Sequence, residues 1–504
     1  MLKITFRKLC LAGGIASLLA AVGCGGGGSL ILPHQTGNFT NADFKGSYVF
    51  QTHGFLLTNL GSLDAYRQVG VLTSDGNGNI TGGVDYATIG SGAPVQSSAS
   101  LTGSYTIAND GTGQVVLNST GLGIISGFTQ ISLAVTLANS SKAELAEADA
   151  FATGAGLAEL QDSTAIAAAP SGAFVFGLHE EADPQTAQSA SLVGGITISN
   201  GNLTGSMDQN QLAAVSSSNL TGNLGVPAGL GIGTGLFKDS SNNTTDFLYF
   251  IVNSGKFVLL VSDANAIGSG SAEAQSGTVG NGLSGSYAFG SRGDDTFAPS
   301  GIATVGQFTG SGATISAGAF DSLQDGSNYS QNVSFTGNPT TTTSNPSPQG
   351  RVAITLSTGD VLVCWMVSPA RAFFINESAS VVEDGAADLQ SASFSTSTMN
   401  GQYAMAMDGI DLNAGSVGRI GTLQFDGKGK SVMVELVNDA GSGAQNPGAL
   451  AGSYQVGGNG RITSSLSNGG GQLDLVMYAV SGSQAYVLQA DPNTNTSGFL
   501  ELQQ

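Results

Sequence analysis

The sequence predicts an all-β protein: four tandem antiparallel modules of about eight strands each, with an up-and-down barrel favoured for each module and a β-sandwich as the alternative. Three observations carry this reading. One pattern recurs four times, opening Gly46-x-Tyr48-x-Phe50, Gly172-x-Phe174-x-Phe176, Gly285-x-Tyr287-x-Phe289 and Gly401-x-Tyr403-x-Met405, with lead glycines 126, 113 and 116 residues apart. Between these openings, short apolar runs alternate with tight-turn signals. Finally, Gly supplies 76 of 504 residues and charged residues only 10%, while 40% are hydrophobic, a mix rich in turn formers and able to bury a core.

Each module also closes on a shared pattern. Gly156, Glu159 and Gln161 recur as Gly270, Glu273 and Gln275, as Gly385, Asp388 and Gln390, and as Gly498, Glu501 and Gln503. Seven residues before each closing Gly stands Asp149, Asp263, Ser378 or Asp491. In the first module the segments 46–55, 66–73, 79–87, 100–108, 113–119, 130–137, 143–149 and 157–161 read as strands. A helical period shows only at 142–150, and its counterparts at 256–261 and 371–375 are strand-like. Asp75-Gly76-Asn77-Gly78, Asn109-Asp110-Gly111 and Gly458-Asn459-Gly460 offer the positive φ angles that tight hairpins need.

Connections this short cannot cross over, so neighbouring strands should form an antiparallel meander. Pairing the last strand with the first removes both exposed edges, which favours the barrel. The continuous apolar runs 247–252, 361–367 and 473–480 imply cover on both faces, from a second sheet or from a neighbouring module. A transmembrane barrel is disfavoured by Gly- and Ser-rich strands without regular aromatic girdles. The opening aromatic (Tyr48, Phe174, Tyr287 or Tyr403) is expected to bury its ring near the closing seam. The acid and Gln of the closing strand share one face and are expected to make cross-strand hydrogen bonds within their own barrel.

The modules so delimited are residues 43–161, 171–276, 283–391 and 398–504. Their short, small and polar linkers make them beads in close contact, and 339–348 reads as a loop inserted in the third.

The first residues carry an address. Lys3, Arg7 and Lys8 precede an apolar stretch, 9–22, with no acid, the pattern of a secretory signal, too short to span a membrane comfortably. It ends in Ala21-Val22-Gly23-Cys24, which resembles the lipobox of bacterial lipoproteins, although that family prefers Leu where Ala21 stands. The resemblance implies that residues 1–23 are a signal peptide, that Cys24 is the lipidation site, and that residues 24–42, with Gly25 to Gly28, are a flexible tether. Loss of residues 1–23 removes three cations and no acid, leaving 12 Lys plus Arg against 35 Asp plus Glu, a net −23. Such a chain repels phosphate backbones, so nucleic acid is not an expected partner. Cys10 leaves with the signal and Cys24 is acylated, so Cys364 stands alone in an apolar run and reads as a small core hydrophobe.

Motifs for chemistry mostly fail. Gly429-Lys430-Ser431 ends like a phosphate-binding loop, but Gln424 stands where its first Gly belongs and a strand follows, so it reads as a turn. A hydrolytic triad would have to recruit one of three His. His34 lies in the tether. His53 and His179 share a column with Arg292 and Asp408, seven residues after each lead Gly. A column that changes from base to cation to acid reads as a strand-end surface position. No His or Cys cluster has metal-ligand spacing. Asp75 and Asp426 sit in Gly-flanked turns, and Asp85, Asp208 and Asp321 follow Gly82, Gly205 and Gly318 by three. All five read as turn chemistry rather than calcium ligands. No catalytic residue, cofactor or metal is expected.

The whole mature chain resembles the Gly- and Ser-rich β-repeat lipoproteins of bacteria, through its Cys-Gly-Gly-Gly-Gly start and Gly-x-Tyr-x-Phe modules, and that family brings no activity with it. The expectation is therefore a non-enzymatic protein held by a lipid on Cys24 in the bacterial envelope, at the outer membrane or cell surface, with a structural or adhesive role. The alternative is a carrier holding small apolar ligands inside lipocalin-like barrels. Side chains filling the barrels favour the first, and cavities of several hundred Å³ the second.

Overall fold

A computed structural model describes residues 37–504 apart from 58–62, 91–95, 99, 119–129, 182–188, 212–213, 264–265, 296–300, 327, 341–348, 379 and 392. Cys10, Cys24 and His34 lie outside the described residues, as does most of the loop 339–348.

Each module is a closed antiparallel meander of eight strands, with one further three-residue strand in the first (Gln96–Ser98) and fourth (Gly443–Gln445). In every barrel the closing strand pairs with its own opening strand, as the need to hide both edges dictates. Ala152–Leu160 lies along Lys45–Leu57, Ile267–Ala274 along Gly172–Glu181, Val381–Leu389 along Leu283–Asp295, and Thr494–Leu502 along Asn400–Asp411. Residues 142–147, where a helical period shows, form a strand (Lys142–Glu147) whose buried face is set by tertiary pairing on both sides. The opening aromatics Tyr48, Phe174, Tyr287 and Tyr403 are all buried. The three tyrosines each donate a hydrogen bond to a backbone carbonyl, of Ser140 (2.6 Å), Pro369 (2.7 Å) and Gly482 (2.5 Å).

The four barrels are closely coupled within one compact unit, in which each barrel packs on the next and the fourth returns to the first. The outer faces of the apolar runs make these joints. Val49, Val69 and Val71 of barrel 1 meet Phe250, Val252 and Val258 of barrel 2. Val175 and Val193 meet Val363 and Trp365 of barrel 3, and Ala288 and Val305 meet Val476 and Tyr478 of barrel 4. The ring closes on small residues, Ala134, Ala146 and Ala155 of barrel 1 against Ala406 and Ile420 of barrel 4. The double-sided cover that the runs demanded thus comes from neighbouring barrels.

The closing acid and Gln do share a face, but it faces outward and grips the next barrel, which corrects the expectation of bonds within one barrel for the four Gln; among the acids, Asp388 does take Arg371 of its own barrel across the neighbouring strand at 2.8 Å. Gln161 Nε2 donates to the carbonyls of Leu230 (2.9 Å) and Ile251 (2.7 Å) in barrel 2. Gln275 does the same to Gln349 and Met366 in barrel 3, and Gln390 to Asn459 and Ala479 in barrel 4. Gln503 completes the circle on Asp110 and Leu137 of barrel 1. Only a side chain with two donors on one nitrogen satisfies two carbonyls this way. The residue after the first carbonyl is Gly111, Gly231, Gly350 or Gly460, each at a φ between 71° and 85°, a conformation that favours Gly.

The acids act in the same direction. Glu159 pairs with Lys256 of barrel 2 at 2.6 Å, Glu273 with Arg371 of barrel 3 at 2.8 Å, and Glu501 with Lys142 of barrel 1. Barrel 4 has Gln484 in the cation column, so Asp388 reaches barrel 4 by accepting from the Tyr486 hydroxyl at 2.5 Å, while its cation is Arg371 of barrel 3 at 2.8 Å.

Candidate functional site

Among the described residues, polar groups gather around several spaces, two of which are lined by residues that change type between the repeats. The first is the ring axis. His53, His179, Arg292 and Asp408 converge there from four barrels, beside Arg67 and Asp384, around a cavity of about 380 Å³. This corrects their reading as strand-end surface positions. The column changes residue type because its members pair with one another across the axis, Asp408 with His53 and with the partly solvent-exposed Arg292. Asp408 lies 2.9 Å from His53 Nε2 and 2.8 Å from Arg292 Nη1, and Asp384 lies 2.5 Å from His179 Nδ1.

Burial, reinforced by Arg292 and opposed by Asp408, pushes His53 down to about 4. Burial works against ionisation of Asp408, but His53 and Arg292 outweigh it and hold the carboxyl well below its usual range. The cluster thus matches two guanidinium groups with two carboxylates. It does not form a relay. Ser191 donates to Asp384 at 2.9 Å, and its hydroxyl approaches the same His179 Nδ1 that Asp384 occupies, at 3.5 Å. A triad needs the nucleophile and the orienting acid on opposite nitrogens of the histidine base.

Asp208 and Asp321 belong to the joints, not to turns, because each is buried on a strand and takes the guanidinium of the next barrel. Arg351 Nε and Nη2 each lie 2.7 Å from Asp208, which also accepts from the Trp365 indole at 2.7 Å. Asp321 takes Arg461 and the Tyr478 and Tyr329 hydroxyls in the same way. Asp85, also buried in a strand, accepts from Gln68 at 2.7 Å. Asp75 and Asp426 do cap turns, accepting from the amides of Asn77 and Asn79 and of Lys428 and Lys430. Lys430 opens a strand, so the Gly429-Lys430-Ser431 segment is a turn. Cys364 is buried inside barrel 3, where burial pushes its thiol up to about 12.

The second place is the interior of barrel 3, which holds a cavity of about 260 Å³. Phe289, Phe308, Phe320, Phe335 and Phe374 line its floor, with Phe289 centred 5.9 Å from both Phe308 and Phe374. Its polar wall holds Glu383, only 5% exposed. Glu383 accepts from Ser291 at 2.6 Å and from Asn376 Nδ2 at 3.1 Å. Burial pushes this carboxyl above its ordinary value, against the pull of those hydrogen bonds.

Comparison with barrel 2 explains the space. Counted from the shared glycines, Leu178, Leu192, Phe237 and Phe247 of barrel 2 become Ser291, Thr304, Leu356 and Leu362 in barrel 3. In barrel 2, Phe237 packs at 5.0 Å from Phe176 and 4.5 Å from Phe247, filling the middle. Sequence reasoning missed Glu383. The signal was present: the position two residues before each closing Gly holds Gly154, Gly268, Glu383 and Thr496, so one module places an acid where the others place small residues.

The fold and these sites define a class: a closed ring of four antiparallel eight-stranded barrels, locked by side chains across every joint. No protein-family model and no curated protein matches the sequence. Among solved structures, the chain is similar to isotype 1 transferrin binding protein B (TbpB) from serogroup B Neisseria meningitidis. The identity is 8% and the TM-score 0.20, over 72% of this chain and 83% of that one. No partner or activity is carried over from it.

Proposed function

We propose that the protein is an exported, lipid-anchored component of the bacterial envelope that works without catalysis, as a structural or adhesive body. The observation that supports this reading best is the ring closure. Phe39 donates its amide to Asn109 and Gln504 donates to Ala138, so the two ends of residues 37–504 meet on barrel 1 at one seam. A single lipid on Cys24 would hold the whole ring from that seam. The 13 residues from Cys24 to Gly37 reach at most about 45 Å when extended. The all-β architecture and the lack of relay geometry at His179 agree with a role other than catalysis. The test is Cys24→Ala: wild type should carry lipid by mass spectrometry and sediment with membranes, and the variant should move to the soluble fraction. A lipid-free wild type, or a variant that stays in the pellet, overturns the reading.

A second reading, as a carrier of small ligands, is favoured by the Phe-lined cavity of barrel 3.

A further inference from the structure

We infer that the barrel 3 cavity takes a small primary amine with an apolar body about one aromatic ring in size, its ammonium held between Glu383 and Asn376. This rests on the carrier reading and names the ligand class.

The size follows from the space: about 260 Å³ matches some nine waters at roughly 30 Å³ each, and a pocket floored by phenyl rings is poorly suited to hold water. The head group follows from the wall. Asn376 spends its Nδ2 on Glu383, and its Oδ1 is buried with no hydrogen-bond partner. An orphaned acceptor next to a carboxyl calls for a donor. The described residues around the cavity include Glu383 and Asp360 but no Lys, Arg or His, so an anionic head would meet repulsion without compensation. Ser330, Thr358 and Ser380 line the same cavity and are exposed, so it opens to solvent. Barrel 2 carries Leu and Phe at the positions that open the pocket in barrel 3.

The experiment is calorimetric titration of the purified full chain with three probes of similar size: 2-phenylethylamine, phenylacetate and propylbenzene. The amine should bind at one site per chain, about tenfold or more tighter than the carboxylate. Glu383→Gln should remove that preference while propylbenzene still binds. Leu362→Phe restores the barrel 2 residue and should block all three probes while the β-type circular dichroism and melting transition are retained. If the hydrocarbon or the carboxylate binds as well as the amine, the head-group assignment falls and the carrier reading stands. If none of the three binds, both fall. Undiminished amine binding in Leu362→Phe places the site elsewhere and overturns the inference.

Discussion

Gln503 donates its side-chain amide to the carbonyl of Leu137 at 2.7 Å, joining residues 366 apart in the chain. The same nitrogen reaches Asp110 at 2.9 Å. Joints 1–2, 2–3 and 3–4 repeat this latch between barrels that the chain already connects. At joint 4–1 no linker helps, and contacts alone hold the ring shut.

Gln503→Ala should therefore loosen that joint most. It removes a donor from two carbonyls, of which Asp110 keeps Gln402 Nε2 at 3.1 Å and Leu137 is stranded, and two net hydrogen bonds with one unsatisfied buried acceptor amount to about 2–4 kcal/mol. Urea titration should show the loss. Hydrogen exchange should show it first in Gln130–Asn139 and Asn400–Asp411, with joint 2–3 still protected. Equal loss of protection around the ring would show that the seam has no separate role.

Much of this arrangement was legible before any coordinates. The Gly-x-aromatic opening and the Gly, acid, Gln closing located the two strands that must meet, because a short meander has few other ways to hide its edges. The apolar runs foretold cover on both faces. What the runs leave open is who provides the cover, since a strand period distinguishes inside from outside of one sheet but not neighbour from solvent. That is why the closing Gln was assigned to its own barrel and His53 to the surface. A cation signal lay unused: Lys142, Lys256 and Arg371 each precede their module's acid by 17 residues, and each grips the acid of the barrel before. The barrel 3 cavity depends on side-chain volumes at Ser291, Thr304, Leu356 and Leu362, which matter only once they are known to face one interior.

The Asp208 clamp makes the 2–3 joint measurable. The chain has a single Trp, and its indole N–H donates to Asp208, a fully buried carboxylate that Arg351 holds bidentately. Asp208→Ala takes the buried carboxylate from Arg351 and leaves the indole without its acceptor, a loss of about 3–5 kcal/mol for a broken buried pair. Trp365 emission in the folded variant should shift to the red as water enters the joint. Adding Arg351→Met removes the cation that Asp208 balanced and should recover part of the stability, giving a coupling energy in a double-mutant cycle. Unchanged emission and stability in Asp208→Ala would mean that the clamp contributes little.

The axis predicts how stability depends on pH. Glu144 is 6% exposed. Burial, helped by Glu501 and Glu159 and opposed by Lys142, pushes it from 4.5 to about 7. Glu180 rises to about 7 as well, through burial reinforced by Asp263 and opposed by His179. Between pH 4.5 and 7 the folded protein therefore binds more protons at these groups than the unfolded chain, so their contribution to stability is lost as pH rises. His53 works in the opposite direction. It lies at about 4 when folded against 6.5 otherwise, so over that interval the unfolded chain binds the extra proton and stability grows with pH. Glu377, pushed by burial to about 7, and Asp149, pushed by burial to about 6, add to the decline, so the raised carboxyls outweigh one imidazole, and the urea midpoint should be higher near pH 5 than near pH 7.5. Below the ordinary carboxylate range the trend must reverse, because protonating Asp408 destroys its pairing with Arg292. Glu144→Gln removes one of the declining contributions, up to about 3 kcal/mol at one pKa unit per 1.36 kcal/mol, and should reduce the slope of the profile between pH 5 and 7.5. A variant whose profile runs parallel to wild type would show that Glu144 ionises in the folded ring as it does in water.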